Sequence, residues 1–182
     1  MSFNNDNKKH KNLKIVFLGS VKTGKSTVFK KIKGNKVDKD LEYYPTIAGA
    51  YASHQIKFKH EIFQLDLWDV SGQERYYSLI KIYIIKADIL FFFYNSYDIS
   101  SFETAKRMVE TFKENIDKNT KCVLIRSRYD ECLETNNNKN FVSDEEALEF
   151  ADLNNLYFAH LSNFEKNENA NEFLKKIFLN IL

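Results

Sequence analysis

Buried strands are indicated by the apolar pattern of this chain. Residues 89–94 (ILFFFY) carry no charged side chain, which is typical of a strand buried on both faces. Residues 61–70 instead alternate, with Phe63, Leu65 and Leu67 on one face and polar residues between them. Together with the preceding segment they predict a hairpin. The predicted strands are 13–18, 51–58, 61–70, 89–94, 121–125 and 156–159.

Apolar residues at helical spacing separate most of these strands. One stripe runs from Phe102 to Phe112, and a similar one fills the last part of the chain. Ser100 or Ser101 is expected to cap the helix at 101–115, and Ser143 the next helix. The predicted helices are 25–32, 101–115, 143–154 and 170–181. This alternation predicts an α/β fold with a six-stranded, mostly parallel sheet, one antiparallel edge strand and helices on both faces.

Composition narrows the class of protein. The 182 residues suit one domain, and we expect a polar N-terminal tail over 1–11 and the folded domain over 12–182. Because 27 basic residues balance 25 acidic ones, nucleic acid and anionic membrane are not expected as main partners. The longest apolar run is far too short to span a bilayer. Cys122 and Cys132 have no metal-binding or redox spacing, which favours a reduced, cytoplasmic protein.

A phosphate-binding loop is predicted between the first strand and the first helix. The segment GSVKTGKS fits the pattern G-x-x-x-x-G-K-[ST], with Gly19 and Gly24 allowing the backbone to curl around phosphate oxygens. Lys25 can reach the β- and γ-phosphates, and the Ser26 hydroxyl can coordinate Mg²⁺. The candidate phosphate-binding residues are Ser20, Val21, Lys22, Thr23, Gly24, Lys25, Ser26 and Thr27. Kinases, ATPases and GTPases all use such a loop, and a glycine turn without a ligand is the structural alternative.

The segment WDVSGQE at 68–74 distinguishes between these classes. Asp69 ends a predicted strand and can hold magnesium through water, Gly72 offers an N–H to the γ-phosphate, and Gln73 can orient the attacking water. The segment resembles WDTAGQE of the Ras-superfamily small GTPases, and the stretch 68–88 resembles the Rab branch most closely. The resemblance covers 12–182 and implies the three-layer P-loop NTPase fold. A P-loop kinase is disfavoured because no arginine-rich lid is visible.

The segment YYPTI at 43–47 resembles switch I of that family. The resemblance implies that Thr46 closes over magnesium and the γ-phosphate, and that Tyr43 covers the phosphates. The chain departs from the family pattern just after this point, where it has TIAGAY and the expected glycine is displaced. An ordinary role for Thr46 at the entry of a strand is the alternative.

Base recognition departs further from the family. The pattern N-K-x-D maps onto S-R-Y-D, in which Asp130 can accept from guanine N1–H and the 2-amino group. Ser127 is too short to replace the usual asparagine, whereas Arg128 can stack its guanidinium on the base. The resemblance places Ser162 and Asn163 near the guanine O6, which a backbone N–H would bind. Guanine is favoured over adenine, with weakened base contacts.

The resemblance implies a switch that hydrolyses GTP. Lys25, Thr46 and Gln73 are the expected catalytic residues, and Ser26, Thr46 and Asp69 the expected magnesium site. Val21 stands where the family prefers a small residue, so we expect it to crowd Gln73 and to slow hydrolysis. The alternative to a switch is a pseudo-GTPase scaffold that binds nucleotide weakly or constitutively and hydrolyses little.

Partners and location also follow from the resemblance. Tyr51, Trp68 and Tyr83 match the aromatic triad that faces Rab effectors, with plain core packing as the alternative. Besides GTP or GDP and Mg²⁺, effector, exchange-factor and activating proteins are implied. The last helix reaches Leu182 without the prenylated cysteines of the family. Membrane association is therefore expected only if such a tail is missing from this sequence, and the location is cytoplasmic or peripheral on endomembranes.

Overall fold

A single mixed sheet organises the molecule. The computed structural model describes residues 10–34, 46–127, 141–161 and 170–182. The strands lie in the order β2-β3-β1-β4-β5-β6, and only β2 runs antiparallel to its neighbour. Their bounds are β1 His10–Gly19, β2 Gly49–Phe58, β3 Glu61–Val70, β4 Ile89–Asn95, β5 Lys121–Ser127 and β6 Tyr157–His160. The predicted α/β sheet with one antiparallel edge strand is confirmed.

Helices cover both faces of this sheet. Their bounds are α1 Lys25–Ile32, α2 Tyr77–Ile84, α3 Ile99–Phe112, α4 Asp144–Leu153 and α5 Ala170–Ile181. Helices α1 and α5 pack with one apolar cluster, whereas α2, α3 and α4 pack with another on the opposite face. None of the helices in the described ranges combines the length and apolar character needed to cross a bilayer.

The two central strands separate these clusters. In β1, Ile15 and Phe17 face the α1–α5 side, and Val16 and Leu18 face the other side. All seven residues of β4 are buried, as its uninterrupted apolar sequence predicts. Burying one large apolar side chain contributes about 1.5–3 kcal/mol. The core therefore fixes the strand order, and with it the positions of the loops at the carboxyl ends of the strands.

Several element starts differ from the sequence prediction, and the differences at β1 and α3 have a clear physical reason. Strand β1 begins at His10, inside the predicted tail, because its pairing with β3 continues back to the pair His10–Ile62. Helix α3 begins at Ile99, and its cap is Asp98 rather than Ser100 or Ser101. The Asp98 carboxylate accepts from the backbone N–H of both serines. A carboxylate beside the positive helix end is a stronger acceptor than a hydroxyl.

Ser143 caps α4, as predicted, whereas helix α2 was not predicted. The Ser143 hydroxyl accepts from the Glu146 N–H at 3.1 Å. Helix α2 follows a short 3-10 turn at Glu74–Tyr76 and buries Ile80 and Ile84. Exposed Ile82 and Ile85 interrupt the apolar–polar periodicity, so this segment carries no clean helical stripe.

Candidate functional site at the carboxyl edge of the sheet

The loop between β1 and α1 turns on two glycines. Gly19 has φ +137°, and a Cβ there would lie 2.4 Å from the Phe93 carbonyl oxygen in β4. Gly24 has φ +85° and directly precedes α1. No other residue type fits these two positions without strain or collision. The loop therefore curls tightly against the sheet, with the positive end of α1 at its closing side.

Lys25 is the buried cation of this loop. Its side chain is only 4% exposed, and its ammonium donates to the Ser20 carbonyl oxygen at 2.6 Å and to the Thr23 hydroxyl at 3.3 Å. Burial lowers the pKa of Lys25 to about 8, although the charge of Asp69 acts in the opposite direction. An anion placed in the loop would stabilise the charged form, so this ammonium is suited to phosphate.

We expect the affinity for nucleotide to depend on the protonation of Lys25. Only the ammonium form attracts phosphate, so the apparent affinity for GDP should fall roughly fourfold between pH 7 and 8.5 as Lys25 loses its proton. Titration calorimetry across this range measures it. In a Lys25→Arg variant, which stays protonated, the slope should be flatter. Equal slopes would contradict the assignment to Lys25.

The same pKa has the opposite consequence for stability without nucleotide. The folded pKa of Lys25 lies below its usual value of 10.5, so the unfolded chain binds more protons between about pH 8 and 10.5. The Lys25 contribution to the free energy of unfolding therefore rises with pH through this window. Affinity and stability should thus change in opposite directions above pH 8.

Three oxygen-bearing side chains converge beside Lys25. The Ser26 and Thr46 hydroxyl oxygens are 3.1 Å apart, and the Thr46 hydroxyl donates to Asp69 Oδ2 at 3.2 Å. Asp69 is buried, and burial raises its pKa, while a hydrogen bond from Ser26 and the charge of Lys25 oppose this rise. Its Oδ1 has no hydrogen-bond partner among the described residues. This oxygen-only set, with an unsatisfied carboxylate oxygen, fits a magnesium ion.

The segment after β3 lies against the phosphate loop. A Cβ on Gly72 would be 2.5 Å from the Ser20 carbonyl carbon and 2.6 Å from the Val21 nitrogen. The Ser71 N–H donates to the Ala48 carbonyl oxygen at 2.9 Å, which connects this segment to the residues that follow Thr46. The segment therefore contacts both sides of the site through its backbone.

Gln73 is the next residue of this segment. Its side chain is half-buried, and its backbone N–H donates to the Ser71 hydroxyl at 3.3 Å. This bond holds the backbone of Gln73 next to the close contact made by Gly72. The backbone of Gln73 therefore follows directly on the contact between Gly72 and the phosphate loop, and its predicted role in orienting water stays a prediction.

On the base side, only Ser127 of the predicted residues is described. It ends β5, is buried, and donates its hydroxyl proton to the Tyr94 carbonyl oxygen at 3.0 Å. Its Cβ lies 3.7 Å from the position that a Cβ on Gly24 would take, so β5 ends beside the phosphate loop. With its proton used, this hydroxyl can accept from a ligand but not donate to it. The other predicted contacts lie outside the described residues: Tyr43, Arg128, Asp130, Ser162 and Asn163.

The predicted aromatic triad is contiguous. The ring of Trp68 lies 5.0 Å from that of Tyr51 and 5.6 Å from that of Tyr83. Tyr51 is 52% exposed and donates its hydroxyl to the Asp66 carboxylate at 2.6 Å. Trp68 and Tyr83 are partly buried against the apolar cluster of α2, α3 and α4, so core packing accounts for part of the triad, and the exposed ring of Tyr51 is the part that a partner protein could cover.

One buried charge at this edge was not predicted from the sequence. Arg126 stands directly before Ser127 and has no exposed surface. Its position directly after the predicted strand at 121–125 was the available signal, because an arginine that continues a buried apolar strand needs partners.

Comparison with known proteins agrees with this geometry. The sequence model of the Ras family matches residues 14–182. The chain is 33% identical over 159 residues to the Ras-related protein Rab5A of Oryza sativa subsp. japonica, covering 87% of this chain and 74% of that protein. It is 31% identical over 159 residues to Ras-related protein Rab5 of Nicotiana tabacum, covering 85% and 75% respectively. Ras-related protein Rab11E of Lotus japonicus is 29% identical over 161 residues, 88% of this chain and 70% of its own length. The chain therefore belongs to the Ras family of small GTPases and is Rab-like.

Proposed function

We propose that this GTPase binds GTP and GDP together with Mg²⁺, hydrolyses GTP slowly, and acts as a switch in vesicle trafficking. The observation that carries the proposal is the convergence of Lys25, Ser26, Thr46 and Asp69 beside the close contact of Gly72 with the phosphate loop. These residues come from three separate segments, and their convergence has no structural purpose in a fold without a polyphosphate ligand.

Each residue has a defined role in this proposal. Lys25 binds the β- and γ-phosphates, and Gly72 donates its backbone N–H to the γ-phosphate. Ser26 and Thr46 would hold the magnesium directly and Asp69 would hold it through water; the ion would offset the negative charge of the phosphates. Gln73 orients the attacking water. Hydrolysis is then a matter of position and charge, because no covalent enzyme intermediate is needed.

The experiment that tests the proposal is direct. Titration calorimetry with GDP, GTP and ATP, with and without magnesium, should show binding of the guanine nucleotides that depends on the metal, and phosphate release should follow with GTP. Folded protein that binds no guanine nucleotide at high concentration with magnesium would contradict it. Binding without phosphate release would favour the second candidate function, a pseudo-GTPase scaffold. The Ser127 hydroxyl supports this candidate, because it already donates its proton to the Tyr94 carbonyl oxygen and cannot donate it to a base.

Base selectivity is expected to depend on Asp130. Replacing Asp130 by Asn removes the acceptor for guanine N1–H and the 2-amino group, so GDP affinity should fall by about tenfold or more. The amide can donate to a 2-oxo group, so affinity for xanthosine diphosphate should rise. Competition between the two nucleotides measures this change. An unaltered preference would mean that Asp130 does not recognise the base.

The switching role rests on the two segments that approach the γ-phosphate. Thr46 and Gly72 belong to segments joined by the bond from Ser71 N–H to Ala48. Loss of the γ-phosphate would release both, which changes the surface around Tyr51 and Trp68. We propose that effectors recognise this aromatic surface, that exchange-factor and activating proteins act on the same segments, and that the protein works in the cytoplasm or peripherally on endomembranes.

Val21 is expected to limit the rate of hydrolysis. Its backbone nitrogen lies against Gly72, the residue before Gln73, so we expect its branched side chain to crowd Gln73. A Val21→Gly variant should hydrolyse GTP about three- to tenfold faster in single-turnover assays, which corresponds to roughly 0.7–1.4 kcal/mol of barrier. A Val21→Gly/Gln73→Leu double variant should show no such gain. Equal rates in wild type and Val21→Gly would remove the crowding argument.

A further inference from the structure

Arg126 is a buried cation whose side chain bonds to several neighbouring residues. Its guanidinium donates from Nε to the Tyr94 hydroxyl at 2.8 Å and from Nη2 to the Val142 carbonyl oxygen at 2.9 Å. Its Nη1 pairs with the Asp144 carboxylate. A buried charge is costly unless it is paired and hydrogen-bonded, and this one is both. These contacts join β4, β5 and the start of α4.

Aromatic rings enclose the same guanidinium. The ring centroids of Tyr94, Phe141 and Phe158 lie 5.6–5.9 Å from its central carbon. Burial alone would lower the pKa of Arg126, but Tyr94 and Asp144 raise it above its ordinary value. The side chain is therefore a permanent cation that its surroundings favour.

The backbone at Arg126 has matching connections. Its carbonyl oxygen accepts from the Leu161 N–H at 2.8 Å, at the point where the chain enters the segment of Ser162. The next carbonyl, of Ser127, accepts from the N–H and the hydroxyl of Ser96 at 3.2 and 2.6 Å. Ser96 in turn accepts from the Val142 N–H at 3.1 Å. The side-chain and backbone contacts at Arg126 and Ser127 thus hold the end of β5 in place.

We infer that Arg126 is a positioning residue for recognition of the nucleotide base, a role that rests on the proposed function. Ser127 ends β5 beside the phosphate loop, and its place depends on the strand that the Arg126 side chain ties to Tyr94, Val142 and Asp144. Contacts to a base depend on sub-ångström placement of the groups that make them. Loss of the guanidinium would loosen the end of β5 while the phosphate loop, held by its own bonds around Lys25, stays in place.

The test compares GDP with IDP, whose base lacks the 2-amino group. An Arg126→Met variant should bind GDP about tenfold more weakly, and its preference for GDP over IDP should fall by about threefold or more. Asp144→Asn, which leaves the arginine without its charged partner, should change both quantities in the same direction but less. Arg126→Lys keeps the charge and should recover part of the preference.

The matched control is Phe178→Leu, a buried change in α5 on the other face of the sheet. It should lower the melting temperature without altering the GDP-to-IDP ratio. An unchanged ratio in Arg126→Met, with a similar loss in melting temperature, would overturn the inference and leave a purely structural arginine. If Arg126→Met does not fold, the ratio measured with Asp144→Asn decides. Wild-type protein that binds no guanine nucleotide would instead overturn the proposed function, and this inference with it.

Discussion

Replacing Lys25 by alanine is expected to weaken binding of GDP and GTP by about 100-fold or more. The ammonium is held over the loop by the Ser20 carbonyl oxygen, and its burial keeps water away from the charge. A charge-assisted bond contributes about 1.5–3 kcal/mol, and contacts to two phosphates therefore amount to roughly two decades or more in affinity. Titration calorimetry or displacement of a fluorescent nucleotide measures the loss.

The control for this variant is Lys22→Ala. Lys22 belongs to the same loop and is predicted to bind phosphate through its backbone N–H, which alanine retains. Its side chain is exposed, and φ is 62° at this position, so alanine experiences the same backbone strain as lysine. It should retain affinity within a few-fold, because exposed charges contribute about 0–1 kcal/mol. Thermal unfolding should show that both variants are folded. A Lys25→Ala protein that binds as well as Lys22→Ala would exclude this loop as the phosphate site.

Replacing Gly72 by alanine is expected to reduce GTP hydrolysis at least tenfold. The added methyl would lie 2.5–2.7 Å from backbone atoms of Ser20 and Val21, and neither a backbone carbonyl nor an amide can rotate away as a side chain can. The segment that carries Gln73 must therefore move from the loop. Overpacking of this kind costs about 1–3 kcal/mol, and displacement of a catalytic group adds to the loss of rate.

Gly34→Ala is the matched variant for this change. A Cβ on Gly34 meets nothing within 4 Å, although its φ of +80° makes any side chain strained. It should lose stability but keep its rate of hydrolysis. Single-turnover phosphate release with saturating GTP, together with thermal unfolding, separates the two effects. Unchanged hydrolysis in Gly72→Ala would show that the segment can leave the phosphate loop without consequence.

The capping residues illustrate where local sequence suffices. Ser143 was predicted as a cap and accepts from Glu146, because both residues of this capping pair lie in one short segment at the start of the helix. The predicted serine cap was wrong at α3, where Asp98 is the cap. The Ser101 hydroxyl instead accepts from the Asn95 N–H and donates to the Asp98 carbonyl oxygen. A serine next to a helix start has several possible partners, and which one it takes depends on the strand end that lies beside it.

The candidate site shows the same division. Local spacing was enough to predict the loop around Gly19 and Lys25, since a phosphate loop is one continuous segment between a strand and a helix. The contact between Thr46 and Asp69 could not be predicted from local spacing, because these residues meet only after β2, β3 and α1 take their places. The role of Arg126 could not be predicted either. Whether its burial stabilises the fold depends on Tyr94 and Asp144, which are distant in the chain.

The strands, most of the helices, the phosphate loop and the family could be predicted from the amino-acid sequence, because these depend on short-range periodicity and on spacing within single segments. Three further features are visible only in the folded chain: Gly72 touches the loop, the Ser127 hydroxyl already donates its proton, and a buried arginine connects the end of β5 to α4. Those are contacts between segments, and their energies depend on distances and on the exclusion of water, which arise only when the core closes.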